Sequence, residues 1–314
     1  MPKPPKPDVF ALFDPMLSGA DTTTSPWVRG RYLPEIDLLR GLLSLPIGTG
    51  EKQESGRVAK AFDAWAAHEL RRAGFPPDGV WPRTKRPRVL PEDAAALETS
   101  LAALAQALVD AEASGEKIKP PAVRRAIRAL EGKLPGAPEA YILGDFYAKQ
   151  IDVAISSWRR GPDVLISTKT MFSSYRKNLK NRHEEAVGEV MSLRARHPMA
   201  TMGYAYLVRK NVFEEEGAYA ILFDILERLR RPGEAFDATL LLVADWDDTA
   251  NPPRVTSIDQ PAEELDASRF FEDIIEYVTD RSPIKEHVEV RRRRAPEPVG
   301  GLPNEEDPVD DADE

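Results

Sequence analysis

Two neighbouring stretches could place a carboxylate, a hydroxyl and an amine together. Lys149 to Ser156 and Asp163 to Lys169 are rich in β-branched and apolar residues, and Gly161 and Pro162 lie between them. This pattern predicts two antiparallel strands joined by a turn. On such a pair of strands, an aspartate could bind a divalent cation, and a lysine brought beside it could orient a water molecule.

The strand periodicity limits how these side chains can meet. Side chains alternate between the faces of a strand, so Ser167 and Lys169 share one face and Thr168 takes the other. With the turn centred near Arg160, Asp152 lies opposite Ser167, Thr168 or Lys169, and one register puts Asp152 beside Lys169. The simpler interpretation is a cross-strand ion pair, which contributes about 0.2–1 kcal/mol.

Asp152 together with the triplet Ser167-Thr168-Lys169 resembles the signature of the PD-(D/E)XK nuclease superfamily over roughly residues 140 to 245. That signature has an acid on one strand and an acid-x-Lys triplet on the next. Here Ser167 replaces the first acid of the triplet, and Ile151 replaces the proline before Asp152. Some restriction endonucleases of the superfamily carry Ser-x-Lys and take the missing carboxylate from the following helix.

The resemblance implies a role for each of these residues. Asp152 would be the principal Mg²⁺ ligand and the Thr168 carbonyl a second one, while Lys169 would orient the attacking water. Either Glu184 or Glu185 in the following helix, which also contains Glu189, would supply the carboxylate absent at Ser167, with Glu184 as a further metal ligand. Three cations of that helix would hold neighbouring DNA phosphates: Lys177, Lys180 and Arg182.

The distribution of charge along the chain says more about its binding partners than the net charge does. The formal net charge is -9, but seven acidic residues and no basic ones lie between residues 304 and 314. Between Lys149 and Lys210 there are twelve lysines and arginines against five acids, a local charge of +7. A phosphate polymer responds to this local field, so the acidic total does not exclude a nucleic-acid partner.

The sequence lacks the residues or spacings that several other kinds of functional site require. The chain has no cysteine, which excludes disulfides and thiolate metal sites and suits a reducing cytoplasm. Its four histidines have no metal-ligand spacing. Residues 48 to 52 lack the spacing of a phosphate-binding loop, and there is no Gly-x-Ser-x-Gly turn. No apolar run approaches the 18 or so residues of a membrane-spanning helix, and there is no signal-peptide pattern.

The order of the elements predicts an α/β fold in which helices flank a central mixed β-sheet, with an α-helical N-terminal part. The resemblance implies that this sheet and its helices form a restriction-endonuclease-like core. We divide the chain into an N-terminal segment (1–50), a helical region (51–133), the α/β core (134–283) and a disordered charged tail (284–314). Helices are predicted at 34–43, 55–73, 91–114, 122–133, 172–196, 219–229 and 270–278, and further strands at 201–208 and 238–244. Residues 139–147 could be a helical turn or the first core strand.

These observations lead to two hypotheses, with an α/β protein of unrelated chemistry that binds no DNA as a third possibility. The first is a Mg²⁺-dependent endonuclease of restriction or phage-defence type, which cuts double-stranded DNA as a homodimer or as a subunit of a defence complex. The dimer and the biological setting come from the resemblance alone. The second is a non-catalytic DNA-binding or assembly subunit that lost the acid at position 167.

Overall fold

The computed structural model describes residues 8–50, 56–113, 120–131, 137–157, 159–231 and 235–295. The helices are α1 (Asp14–Ser18), α2 (Ile36–Gly48), α3 (Arg57–Arg72), α4 (Glu92–Ala113), α5 (Pro120–Glu131), α6 (Tyr175–Arg196), α7 (Ala218–Leu229), α8 (Ala267–Arg281) and α9 (Val288–Arg294). The strands are β1 (Trp27–Val28), β2 (Arg31–Tyr32), β3 (Val80–Trp81), β4 (Ala140–Leu143), β5 (Ala148–Ile151), β6 (Val153–Ser157), β7 (Gly161–Met171), β8 (Thr201–Arg209), β9 (Ala238–Asp247) and β10 (Arg254–Asp259).

Six of these strands form a mixed sheet in the order β10-β9-β8-β7-β6-β3. β7, β8 and β9 run parallel, whereas the pairs β3–β6, β6–β7 and β9–β10 are antiparallel. The central strands are apolar on both faces because helices cover both sides of the sheet. The predicted fold class, an α/β fold with a central mixed sheet flanked by helices, is confirmed.

The predicted hairpin is present as β6 and β7. Val153 pairs with Ile166, and a bulge after Ile155 shifts the register near the turn. Gly161 has a φ of 81°, a left-handed conformation that glycine adopts without strain. Asp163 lies inside β7 and makes a 2.9 Å ion pair with Arg160.

Helices α2, α3 and α8 cover one face of the sheet, and α6 and α7 cover the other. The apolar stripe of α8 shows why it packs there, since Phe270, Phe271, Ile274 and Ile275 recur at helical spacing and are all buried. Because α2 and α3 share one hydrophobic core with β6 to β9, the predicted divisions at residues 50 and 133 do not separate these helices from the α/β core.

Two predictions at the edges of the core require correction. Residues 139–147 contain β4, which pairs with β5 in a separate two-stranded sheet and is not a strand of the main sheet. The charged tail is ordered at its start: α9 packs on the core through Val290, which is fully buried, and the Arg291 guanidinium donates a 2.9 Å hydrogen bond to the Ser282 carbonyl. The rest of the predicted tail, 296–314, lies outside the described residues, as do residues 1–7.

Candidate functional site

A gap opens in the sheet where β6 begins. Pairing between β6 and β7 ends at Val153 and Ile166, and beyond that point β7 continues along β8 alone. The Asp152 carboxylate fills the place of the missing strand, since its Oδ2 accepts the Thr168 N–H at 3.0 Å. The N–H and C=O of one strand residue point to the same edge, so the Thr168 carbonyl also faces this gap.

Asp152 is set at this gap by a change of direction in the chain. Ile151 packs in the core beneath α6, whereas Val153 packs in the core beneath α3. Adjacent strand residues normally alternate faces, and residues 151 and 153 would share one. The bend at Asp152 therefore leaves its carboxylate at the boundary between the two faces, with about a fifth of the side chain exposed (21%).

Helix α3 brings two charged side chains to one side of the gap. The Lys60 ammonium lies 2.8 Å from Asp63 Oδ2 and 3.6 Å from Asp152 Oδ1. The Thr168 hydroxyl donates a short hydrogen bond to the other Asp63 oxygen. Burial raises the pKa of Asp63 to about 6, although the Lys60 charge opposes the rise. The Asp63 carboxylate in turn raises the pKa of Lys60 despite its burial.

The other side of the gap is formed by β7 and α6. Ser167 and Lys169 lie on the same strand face, as predicted, and the Lys169 ammonium donates a 3.2 Å hydrogen bond to the Ser167 hydroxyl. Glu189 of α6 lies with them. Burial raises the pKa of Glu189, and the Asp152 charge adds to the rise, while the Lys169 charge and a hydrogen bond with the Ser167 side chain oppose it.

The structure brings together Asp152, Ser167, Thr168, Lys169 and Glu189, but it leaves out two glutamates predicted for the site. Glu184 and Glu185 are exposed on α6, where Glu184 lies 3.8 Å from Lys180 and Glu185 lies 2.7 Å from Arg182. Glu189 follows Glu185 by about one helical turn, which carries its carboxylate toward Ser167. Glu189 is therefore the acid of α6 that contacts Ser167.

The lysine that lies beside Asp152 is Lys60 and not the predicted Lys169. Within the described part of the chain, Lys169 is not within ion-pair distance of Asp152, and the Lys60 ammonium is. Lys60 was not predicted to lie at the site, and it lies there beside Asp63 of the same helix. Their spacing of three residues puts them on one face of α3, but nothing local indicates that this face meets β7.

Among the described residues, one group of three side chains has metal-ligand geometry, namely Glu35, His68 and Glu69. A cation already lies there: Arg72 contacts Glu69 Oε2 at 2.8 Å and Glu35 Oε1 at 3.2 Å. The Tyr32 hydroxyl also donates to Glu69 Oε2 at 3.0 Å. The guanidinium satisfies these carboxylates, so the cluster connects α3 to the preceding segment and is a poor metal site.

The predicted phosphate-binding cations lie on the first half of α6. Lys177, Lys180 and Arg182 are all exposed, and two of them share their charge with the helix glutamates described above. At 1.5 Å per residue, Lys177 is about 18 Å along the helix from Glu189. That distance is about five base-pair steps of a duplex.

No family model, curated protein or solved structure matches this chain. None of the described helices is long and apolar enough to cross a membrane.

Proposed function

We propose that this chain is a Mg²⁺-dependent endonuclease that hydrolyses phosphodiester bonds in double-stranded DNA. The observation that carries the proposal is the Asp152 carboxylate at the gap between β6 and β7, with Ser167, Lys169 and Glu189 on one side and Lys60 and Asp63 on the other. Two lysines and three acids around a strand gap favour chemistry on an anionic substrate.

The oxygen atoms at the gap suit a hard cation. Mg²⁺ is commonly bound through one or two carboxylates together with waters and substrate phosphates. Asp152 and Glu189 supply two carboxylates, and the Thr168 carbonyl faces the same gap. Such an ion, when bound, would lower the pKa of a water molecule and stabilise charge on the phosphate.

The side chains then have separable roles. Lys169, held by Ser167, would orient the attacking water and stabilise the developing negative charge. Lys60 neutralises Asp63 and Asp152 and so keeps two acids close together in a buried place. Lys177, Lys180 and Arg182 would hold phosphates along the duplex.

The biological setting follows from the resemblance to the PD-(D/E)XK superfamily. We propose a restriction or phage-defence role in the cytoplasm, with the chain acting as a homodimer or as a subunit of a defence complex. A dimer would place one such site against each DNA strand.

A second candidate is a non-catalytic DNA-binding or assembly subunit of the same fold. Two observations favour it: the Lys60 ammonium lies 3.6 Å from Asp152, where it would compete with a metal ion, and Ser167 holds the place of an acid. In that case the residues at the gap would serve stability alone.

Cleavage of supercoiled plasmid in Mg²⁺ separates the two. Asp152→Ala, Lys169→Ala and Glu189→Gln should each reduce cutting at least about 100-fold, as expected for loss of a ligand or a charge-stabilising group. DNA binding should be retained. Glu184→Gln is the matched control, because it changes an exposed acid of the same helix and should cut like the unchanged protein.

One outcome would contradict the nuclease proposal, and another would change the residues assigned to its site. Intact DNA binding without cutting in Mg²⁺, Mn²⁺ or Ca²⁺ would support the non-catalytic subunit. Equal activity of Glu189→Gln and Glu184→Gln would remove Glu189 from the site.

A further inference from the structure

A cavity on another part of the surface has four arginines among its ten lining residues. It has a volume of about 610 Å³ and lies between the β1–β2 turn and α9. Arg29 lines it from the turn, and Arg292, Arg293 and Arg294 line it from α9. Trp27 adds an aromatic wall. These segments are more than 260 residues apart in the chain, so folding alone brings their charges together.

The cavity holds more positive than negative charge. Glu289 is the acid in its wall, and its carboxylate accepts hydrogen bonds of 2.6 Å from both Arg292 and Arg293. Arg294 pairs at 3.0 Å with Glu276, which is not part of the wall. Within the described parts of the chain, Arg29 has no ion-pair partner. The four arginines thus exceed the two carboxylates that pair with them, Glu289 and Glu276, by two charges.

The position of α9 explains only part of this arrangement. Cations at the end of a helix are stabilised by its dipole, which accounts for arginines in the last turn of α9. Arg29 belongs to a separate element, and it has a φ of 51° in a two-residue turn where asparagine and glycine are favoured. An arginine at this strained position adds a further positive charge to a cavity that already has an excess.

We propose that this cavity binds a nucleoside polyphosphate. Arginine recognises phosphate oxygens through paired N–H donors, and the two positive charges that remain after Glu289 and Glu276 are counted attract a polyphosphate anion. The Trp27 ring offers an apolar and aromatic surface for a nucleobase. A volume of about 610 Å³ falls within the range of small-molecule sites.

The cavity is separate from the gap at Asp152. Arg293 donates a 2.7 Å hydrogen bond to the carbonyl of Arg72, the last residue of α3. Asp63 lies nine residues earlier on that helix, about 14 Å away along the axis. The two sites therefore lie at different places along α3, and nucleotide binding can be measured separately from the proposed nuclease activity.

Isothermal titration of the full chain with ATP, without Mg²⁺, tests the proposal. Arg29→Gly should weaken binding at least about tenfold, which is the effect of one lost charge-assisted hydrogen bond. Its melting temperature should not fall, because glycine suits the turn. Arg40→Ala is the matched control, an exposed arginine paired with Asp37 on α2 that should leave ATP affinity unchanged. Asp152→Ala should also bind ATP normally.

Three results would overturn the proposal. The first is no heat of binding with millimolar ATP. The second is equal affinity for inorganic tripolyphosphate and ATP, which would leave a polyanion site without recognition of the nucleoside. The third is loss of affinity for a short DNA duplex, and not for ATP, in Arg29→Gly, which would assign the arginines to the nucleic-acid surface.

Discussion

Asp63 illustrates how one buried side chain can link the two sides of the gap. Its carboxylate is enclosed between the Thr168 hydroxyl and the Lys60 ammonium, and Lys60 in turn reaches Asp152. Burying a carboxylate without compensation is expensive, so its proton affinity rises even with a lysine alongside. The stability of the protein should therefore depend on the titration of this group.

The sign of that dependence follows from the pKa in the two states. The pKa of Asp63 is about 6 in the folded protein, against its ordinary value of 3.8. Between about pH 4 and 6 the folded chain keeps a proton that the unfolded chain has lost, so the free energy of unfolding contributed by this group falls as pH rises. Asp63→Asn removes this contribution.

Urea unfolding at pH 4.5 and pH 7 should show the effect. The stability of Asp63→Asn relative to the unchanged protein should increase between these pH values by on the order of 2 kcal/mol. His68 and Glu69, which also titrate abnormally, are present in both proteins, so their effects cancel in the difference. Parallel stability curves would show that Asp63 is already ionised at low pH.

The position of helix α9 depends on a glycine that follows helix α3. Gly74 follows α3 and has a φ of 106°, and a Cβ there would come within 3.1 Å of Glu289 and Val290 backbone atoms. The close approach lets Val290 reach the core, where it is fully buried. Helix α9 and the arginines it carries are thus positioned by the end of α3.

Replacing Gly74 by alanine should destabilise the protein by about 1–3 kcal/mol, because alanine is strained at this φ and its methyl group meets α9. Gly188→Ala provides the comparison: this glycine lies within α6, and an added Cβ meets no atom within 4 Å. That change should stabilise by about 0.5–1 kcal/mol. Urea unfolding measures the free energy of unfolding of both variants. Similar changes at the two positions would argue against the contact between Gly74 and α9.

The protein as a whole is acidic, yet its charge is unevenly spread. The net charge is -9, whereas residues 149–210 carry a local charge of +7. The exposed lysines of this segment include Lys177 and Lys180 on α6. A duplex bound along α6 should displace counterions from its phosphates despite the acidic total.

Salt dependence of DNA binding measures that contact. Each of Lys177→Ala and Lys180→Ala should reduce the slope of log K against log salt by about 0.9, the value for one phosphate contact on B-DNA. Lys285→Ala is the control. This exposed lysine adjoins Glu286, which pairs with Arg160 at the turn end of β7, far from the start of α6. Identical slopes for all three variants would place the duplex elsewhere.

Local patterns in the sequence were sufficient to predict the helices and strands of the core and part of the candidate site. Apolar runs and helical spacing predict β8, β9 and α6 because burial of one face imposes a period on the residues. The hairpin and the shared face of Ser167 and Lys169 follow from strand alternation, and the turn residues limit the register that sets Asp152 near them.

Other features depended on contacts between distant parts of the chain. Lys60 meets Asp152 from 92 residues away, and Arg29 lines one cavity with Arg294. The choice of Glu189 over Glu184 rests on which flank of α6 meets β7. Periodicity tells which residues of an element face a core, but it carries no information about which other element lies across from them, because that is set by packing among all the buried faces at once.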